Sequence, residues 1–237
     1  AVLVERLPPT ARVVVSTRAD PALPLARPRA RGHLVEVRAR DLRMTEEETA
    51  DYLNGVMGLG LAPVDVASLG QRTEGWVAAL QLAVLSLEGR GDPATFIAGF
   101  AGSDRYVVDY LVEEVLERLP DDVRTFLLAT CMLRRLSAPL CDAVTGQPGT
   151  GRAMLDRLER QNLFLVPLDE QRHWYRYHHL FADVLAAHLP ETQRRGLAAI
   201  HRRASAWFEE QGERHEAIHY ALAAEDFDWA AELLERA

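Results

Sequence analysis

The chain has 237 residues, enough for two or three small domains, each with a core of its own. Its 48% hydrophobic and 26% charged residues are the composition of an ordinary soluble globular protein. The formal net charge of −8 argues against broad, non-specific adhesion to nucleic acid or acidic lipid, which needs a basic surface.

All 27 basic residues are arginine. A Gly-x-x-x-x-Gly-Lys phosphate loop is therefore absent from this stretch of sequence. The two cysteines, Cys131 and Cys141, are too few for a secreted disulfide framework and read as buried reduced thiols. No apolar run is as long as a membrane span, and the first residues lack the regions of a signal peptide. The reading is cytoplasmic, and the pattern begins and ends mid-helix, as an internal fragment would.

Residues 2–7 read as a helix tail stopped by Pro8-Pro9. Arg12–Thr17 is a β-branched run between breakers and predicts a strand buried on both faces of a parallel sheet. After a proline-punctuated stretch, His33–Arg38 alternates and predicts a second strand. Residues 1–40 thus read as the last part of an α/β domain.

The pattern turns helical from Asp41. Thr45-Glu46-Glu47-Glu48 spells a capping box, and Tyr52, Leu53 and Val56 continue an apolar stripe to Gly58 and Gly60. Helices are predicted over 65–71 and 76–87. A subdomain boundary falls near 95–103, which makes 41–100 a helical subdomain. Residues 104–119 carry Val107, Val108, Leu111, Val115 and Leu119 on one side. Pro120 opens a helix to 131, Ser137 caps a short one, and 152–161 carries Met154, Leu155 and Leu158. Two strand-like runs, 163–168 and 174–177, flank the polar turn 169–172, and a helix follows from His178 to Pro190. Helices followed by a hairpin are the winged-helix order, here 101–190. Residues 191–237 read as helices over 192–211, 213–223 and 227–236. Ala204, Ala217, Ala221 and Ala230 permit close helix approach, as at the start of a tetratricopeptide-like array. The fold class is mainly α.

Four strings in order resemble the MalT-type large regulators of the LuxR family, within the STAND class of signal-transduction ATPases. They are Val13-Val-Val-Ser-Thr-Arg-Ala-Asp-Pro21, Arg38-Ala-Arg-Asp-Leu-Arg-Met-Thr45, Glu74-Gly-Trp-Val-Ala-Ala-Leu80 and Trp174-Tyr-Arg-Tyr-His-His-Leu-Phe181. The resemblance implies a nucleotide-binding domain, a helical domain, a winged helix, a superhelical sensor and a C-terminal DNA-binding domain. It implies ATP/ADP as cofactor, with magnesium in the longer protein, and none held tightly by this stretch alone. The implied partners are nucleotide, an inducer at the repeat domain, DNA through a domain outside this sequence, and further copies of the protein, with no membrane. The stretch itself is expected to be inactive, and the longer protein a slow ATPase switch.

Three residues are candidates for the nucleotide. Arg18 directly follows a predicted strand, at the carboxyl edge where α/β sheets bind ligands, and its guanidinium suits a terminal phosphate. The resemblance makes it the first nucleotide sensor. His178 occupies the histidine position of a Met-His-Asp triplet that the resembled ATPases place against the diphosphate. Here the triplet reads Tyr177-His178-His179, so the acid is lost. Trp76 stands where relatives carry a segment packing on adenine, and its alternative is a core tryptophan.

Two further motifs have plainer readings. His215-Glu216-Ala217-Ile218-His219 matches the zinc-protease string but lies in a repeat-like helix whose apolar side is Ile218 and Ala221. Arg152, Arg157 and Arg160 lie on the predicted recognition helix, interleaved with Asp156 and Glu159, as on a solvated mixed-charge face. The alternative function for the whole is a non-catalytic helical scaffold that binds a protein or small molecule.

Overall fold

The computed structural model describes residues 10–17, 21–87, 93–100, 102 and 104–236, the side chains of 192 and 193 excepted. Arg18 and the predicted helix tail at 2–7 lie outside the described residues.

The N-terminal portion departs from the sequence reading. Neither 12–17 nor 33–38 forms a strand, and Val14 and Val35 are 94% and 89% exposed. A β-branched run becomes a strand only when a neighbour completes its hydrogen bonds. Among the described residues the only sheet is a hairpin far along the chain, and neither run is part of it. Between them lies a short helix, α1 (Ala26–Ala30).

Helix α2 (Glu46–Ala50) begins at the predicted capping box. The Thr45 hydroxyl accepts from the Glu48 amide, and the Glu48 carboxylate accepts from the Thr45 amide at 2.8 Å. It continues as a wider π-type turn over Asp51–Val56. Helices α3 (Pro63–Thr73), α4 (Val77–Leu87) and α5 (Pro93–Gly99) pack their apolar sides together through Leu53, Leu69, Leu80, Val84 and Ile97. Arg72 of α3 reaches the carbonyls of Ala98 and Phe100, tying the end of α5 down.

Helix α6 (Arg105–Glu114) starts at Asp104, whose carboxylate caps it, and buries Val107 and Leu111 against α4. Then come α7 (Asp121–Thr130), α8 (Ala138–Thr145) and α9 (Gly151–Arg160). The hairpin follows as β1 (Leu165–Pro167) and β2 (Tyr175–Tyr177), antiparallel with Val166 opposite Arg176. Leu136 bridges the outer side of β2 at Tyr175. The hairpin turn is set by Asp169, whose carboxylate accepts the amides of His173 and Trp174. This is a winged helix, and α10 (His179–Ala187) returns from it to pack on α3, α6 and α7.

A short helix, α11 (Glu191–Arg194), leads to α12 (Leu197–Glu210), α13 (Arg214–Ala223) and α14 (Phe227–Glu235). Ala204, Ala217, Ala221 and Ala230 are buried between them. Small side chains let the helix axes approach, and the Ser205 hydroxyl then reaches the Ala217 carbonyl at 2.7 Å. Ala204 and the rings of Phe208 and Tyr220, stacked at 5.5 Å, fill the α12–α13 seam. No helix among the described residues is long and apolar enough to cross a membrane.

Candidate functional site

The site forms where the turn between α3 and α4 meets the end of β2. Helix α3 stops because Glu74 and Gly75 both take left-handed backbone angles, φ 50° and 69°. Gly75 needs that freedom: a Cβ there would collide with the Met44 carbonyl, and the Met44 amide donates to Gly75 O at 2.8 Å. Glu74 is not a residue that favours this region, and the conformation costs about 1 kcal/mol. The fold recovers that cost through the carboxylate.

Glu74 gathers charge from three segments of the chain. Arg176 of β2 donates through Nη1 to Oε1 at 2.7 Å and through Nη2 to Oε2 at 3.0 Å. Arg43, ahead of α2, donates to Oε2 at 2.9 Å. The His179 amide, at the start of α10, donates to Oε1 at 3.2 Å. The Glu74 side chain is 8% exposed. Burial pushes its carboxyl up, but the Arg176 hydrogen bonds lead a set of contacts that pull it down to about 2. The neighbouring His178 also favours the anion when protonated, and the His179 amide adds to the set. A paired, forked guanidinium–carboxylate contact is the strong, geometrically specific kind of ion pair.

His178 lies alongside, 3% exposed. Its Nε2 is 3.0 Å from the Thr73 carbonyl, which also accepts the Trp76 amide at 2.9 Å. A carbonyl can only accept, so Nε2 carries the proton and neutral Nδ1 holds a bare lone pair. Nδ1 is buried with no hydrogen-bond partner among the described residues. Burial pushes the imidazole pKa down, against the opposing pull of Glu74. The ring is therefore neutral near pH 7, and Arg176 and Arg43 supply the charge that holds Glu74. A phosphate oxygen at Nδ1 would require the protonated ring, which a bound anion itself favours.

Trp76 opens α4 and is half-buried. Its ring meets Phe164 edge-on at 5.1 Å, with His178 and Tyr110 each at 6.0 Å. Phe164 itself sits at φ 52°, an uncommon angle for a bulky residue, and its carbonyl accepts the His178 amide at 2.8 Å. Two left-handed non-glycine residues, Glu74 and Phe164, thus flank His178. Strain of this kind persists only where the surroundings over-determine it.

The structure brings His178 and Trp76 together and adds Glu74, Arg176 and Arg43, which sequence reasoning did not single out. Glu74 and Arg176 were visible only as charged residues inside two of the apolar, aromatic strings. Nothing local reveals that they pair. The other motifs lie elsewhere. His215 and His219 are exposed on α13, and the described residues hold no cluster of three or more metal-ligating side chains. On α9, Arg152 pairs with Asp156 and Arg157 with Asp122, so two of its arginines are spent on intramolecular contacts.

A winged helix clasped to a helical layer on one side and to paired helices on the other defines the class. Comparison with known proteins agrees. The family model of the MalT winged helix domain matches residues 112–197. The chain is 39% identical over 225 residues to Serine/threonine-protein kinase PknK of Mycobacterium tuberculosis, a match covering 95% of this chain and 20% of that protein. It is 34% identical over 229 residues to HTH-type transcriptional regulator MalT of Klebsiella pneumoniae subsp. pneumoniae, covering 96% of this chain and 25% of that protein. The MalT of Cronobacter sakazakii is likewise 34% identical, over 226 residues. Residues 112–197 thus carry a MalT-type winged helix domain, and the chain is similar over nearly its whole length to a part of each of these curated relatives, of whose length it spans a fifth to a quarter.

Proposed function

We propose that this chain is the switch segment of a signal-responsive, ATP-dependent transcriptional regulator. Nucleotide state and an inducer control self-assembly and DNA-bound activation, with the inducer acting through the helical array and DNA bound by a separate domain. The observation that carries this reading is the clasp at Glu74. It joins the turn after α3 to the winged helix and lies in contact with His178, the residue the family pattern sets against the nucleotide diphosphate.

The chemistry is that of a latch. With ADP, the winged helix stays closed on the α2–α5 layer: Arg176 and Arg43 hold Glu74, and His178 holds the Thr73 carbonyl. ATP and inducer favour the state in which these contacts are released. A ligand shifts such an equilibrium only by differential contacts in the two states. His178 and Arg18 supply contacts to phosphate, and Trp76 supplies an aromatic wall beside them. Magnesium and the phosphate-binding groups are assigned to the rest of the longer protein.

The test is calorimetry of ATP and ADP binding to the full-length protein, wild type against Arg18→Ala and His178→Ala. The reading expects loss or reordering of the ATP/ADP preference in both variants. A wild type that binds neither nucleotide would overturn it and leave a non-catalytic helical scaffold.

A further inference from the structure

The winged helix has a second junction, with the α12–α13 pair. Arg135, in the turn after α7, sits over the Trp174 ring, its Cζ 4.2 Å from the ring centroid, with the Phe208 ring of α12 at 5.4 Å. The same guanidinium pairs with Glu213, ahead of α13, at 2.9 Å. Trp174 meets Trp207 of α12 edge-on at 6.2 Å, and the Arg134 amide donates to the Tyr220 hydroxyl at 2.9 Å. Trp174, directly ahead of β2, therefore belongs to the interface with the α12–α13 pair, and Arg176, two residues on and within β2, belongs to the clasp.

We infer that β2 couples the α12–α13 pair to the Glu74 clasp, with Arg135 and Trp174 as the positioning residues that set where Arg176 stands. This deepens the switch reading of that site and takes its purpose from it. The physical ground is the stiffness of the strand. Trp174 and Arg176 are two residues apart, about 7 Å along an extended chain, and the hairpin ladder runs on past β2 through the Leu168 amide, which donates to the Trp174 carbonyl at 2.8 Å. The intervening Tyr175 and the following Tyr177 are buried and pinned. Leu136 exchanges both backbone hydrogen bonds with Tyr175, at 2.7 and 2.9 Å, and the Tyr177 hydroxyl lies 2.7 Å from that of Thr130. Leu136 directly follows Arg135. A displacement of Arg135 thus reaches β2 by two routes, through the Trp174 ring and through the Leu136 backbone.

The junction also has the makings of two arrangements. Arg135 Nε and Glu216 Oε2 are both buried with no hydrogen-bond partner among the described residues. Glu216 lies one turn along α13 from Glu213. A guanidinium turned from Glu213 toward Glu216 would trade an outer partner for an inner one. Coupling between sites needs such an element with discrete states.

The test is amide hydrogen exchange on the nucleotide-free 237-residue chain, read at His179, whose N–H ends on Glu74. Variants are Arg135→Met, which keeps the stem and removes the charge, and Trp174→Leu. The reference is the set of core amides on α9, and Arg202→Gln, at the exposed Arg202–Asp226 pair, is the control. Coupling predicts that His179 exchanges at least about tenfold faster in both junction variants, relative to the α9 amides, and is unchanged in the control. If His179 and α9 accelerate together, or neither does, the coupling is overturned. Should one variant fail to fold, the other decides. No nucleotide takes part, so a negative result removes the coupling alone, whereas absent nucleotide binding removes only the switch reading.

Discussion

Glu74 and Arg176 stand 102 residues apart in the sequence and meet in two parallel hydrogen bonds, at 2.7 and 3.0 Å. One closes helix α3 and the other lies in the wing of the winged helix. Their pairing ties the two layers together, and the amide of His179 and Arg43 add further donors to the same carboxylate.

Glu74→Gln removes the charge and leaves two arginines facing a neutral amide. Breaking a buried pair costs several kcal/mol, but Arg176 and Arg43 are 25% and 36% exposed and can turn to water. The expected loss is about 2 kcal/mol of unfolding free energy, measured by urea denaturation. A loss below about 0.5 kcal/mol would show that the pair is ornamental to stability.

Gly75→Ala faces two obstacles: a left-handed backbone angle and a collision with the Met44 carbonyl. The expected destabilisation exceeds about 2 kcal/mol. The same denaturation curves check it, and a neutral effect would mean that the Met44 backbone gives way freely.

Acid should weaken the junction in two steps. The unfolded chain takes up a proton on His178 below its ordinary pKa of 6.5, while the folded imidazole, pushed down by burial, resists it. Stability is thus complete above about 6.5 and falls as the pH drops below that value. The second step belongs to Glu74. Its folded pKa is depressed to about 2 from 4.5, so its contribution is present above 4.5 and is lost as the pH falls toward 2. Denaturation midpoints against pH should show both steps in the wild type and a smaller upper one in His178→Gln, the remainder belonging to His201, whose imidazole burial also pushes down. An upper step undiminished in His178→Gln would contradict the assignment to His178.

How much of this was legible in the sequence varies by element. The capping box at Thr45 and Glu48, the Ser137 cap and the hairpin between 165 and 177 rest on local chemistry, and each appears in place. The strands expected at 12–17 and 33–38 depend on neighbours, and β-branching alone does not supply them. His178 was a candidate through its match to the histidine of the resembled Met-His-Asp triplet. Glu74 and Arg176 were not, because an ion pair closed across 102 residues leaves no periodicity or spacing to read. Arg18 lies outside the described residues, so its role rests on its position after the Val-Val-Val-Ser-Thr run.

Cys131 and Cys141 are both buried, and burial pushes the Cys131 thiol up to about 12 and Cys141 higher still. The reactive species is the thiolate. Neither should react with a disulfide reagent at pH 8 faster than the protein unfolds. Stoichiometric labelling within the mixing time would contradict the packing around α7 and α8.

Amide exchange at His179 in the full-length protein tests directly whether nucleotide state works the clasp. With ADP, this amide is expected to stay protected by Glu74. With ATP and inducer, exchange is expected to accelerate there while the α9 core stays slow. Identical protection of His179 under both conditions, with both nucleotides shown to bind, would contradict it.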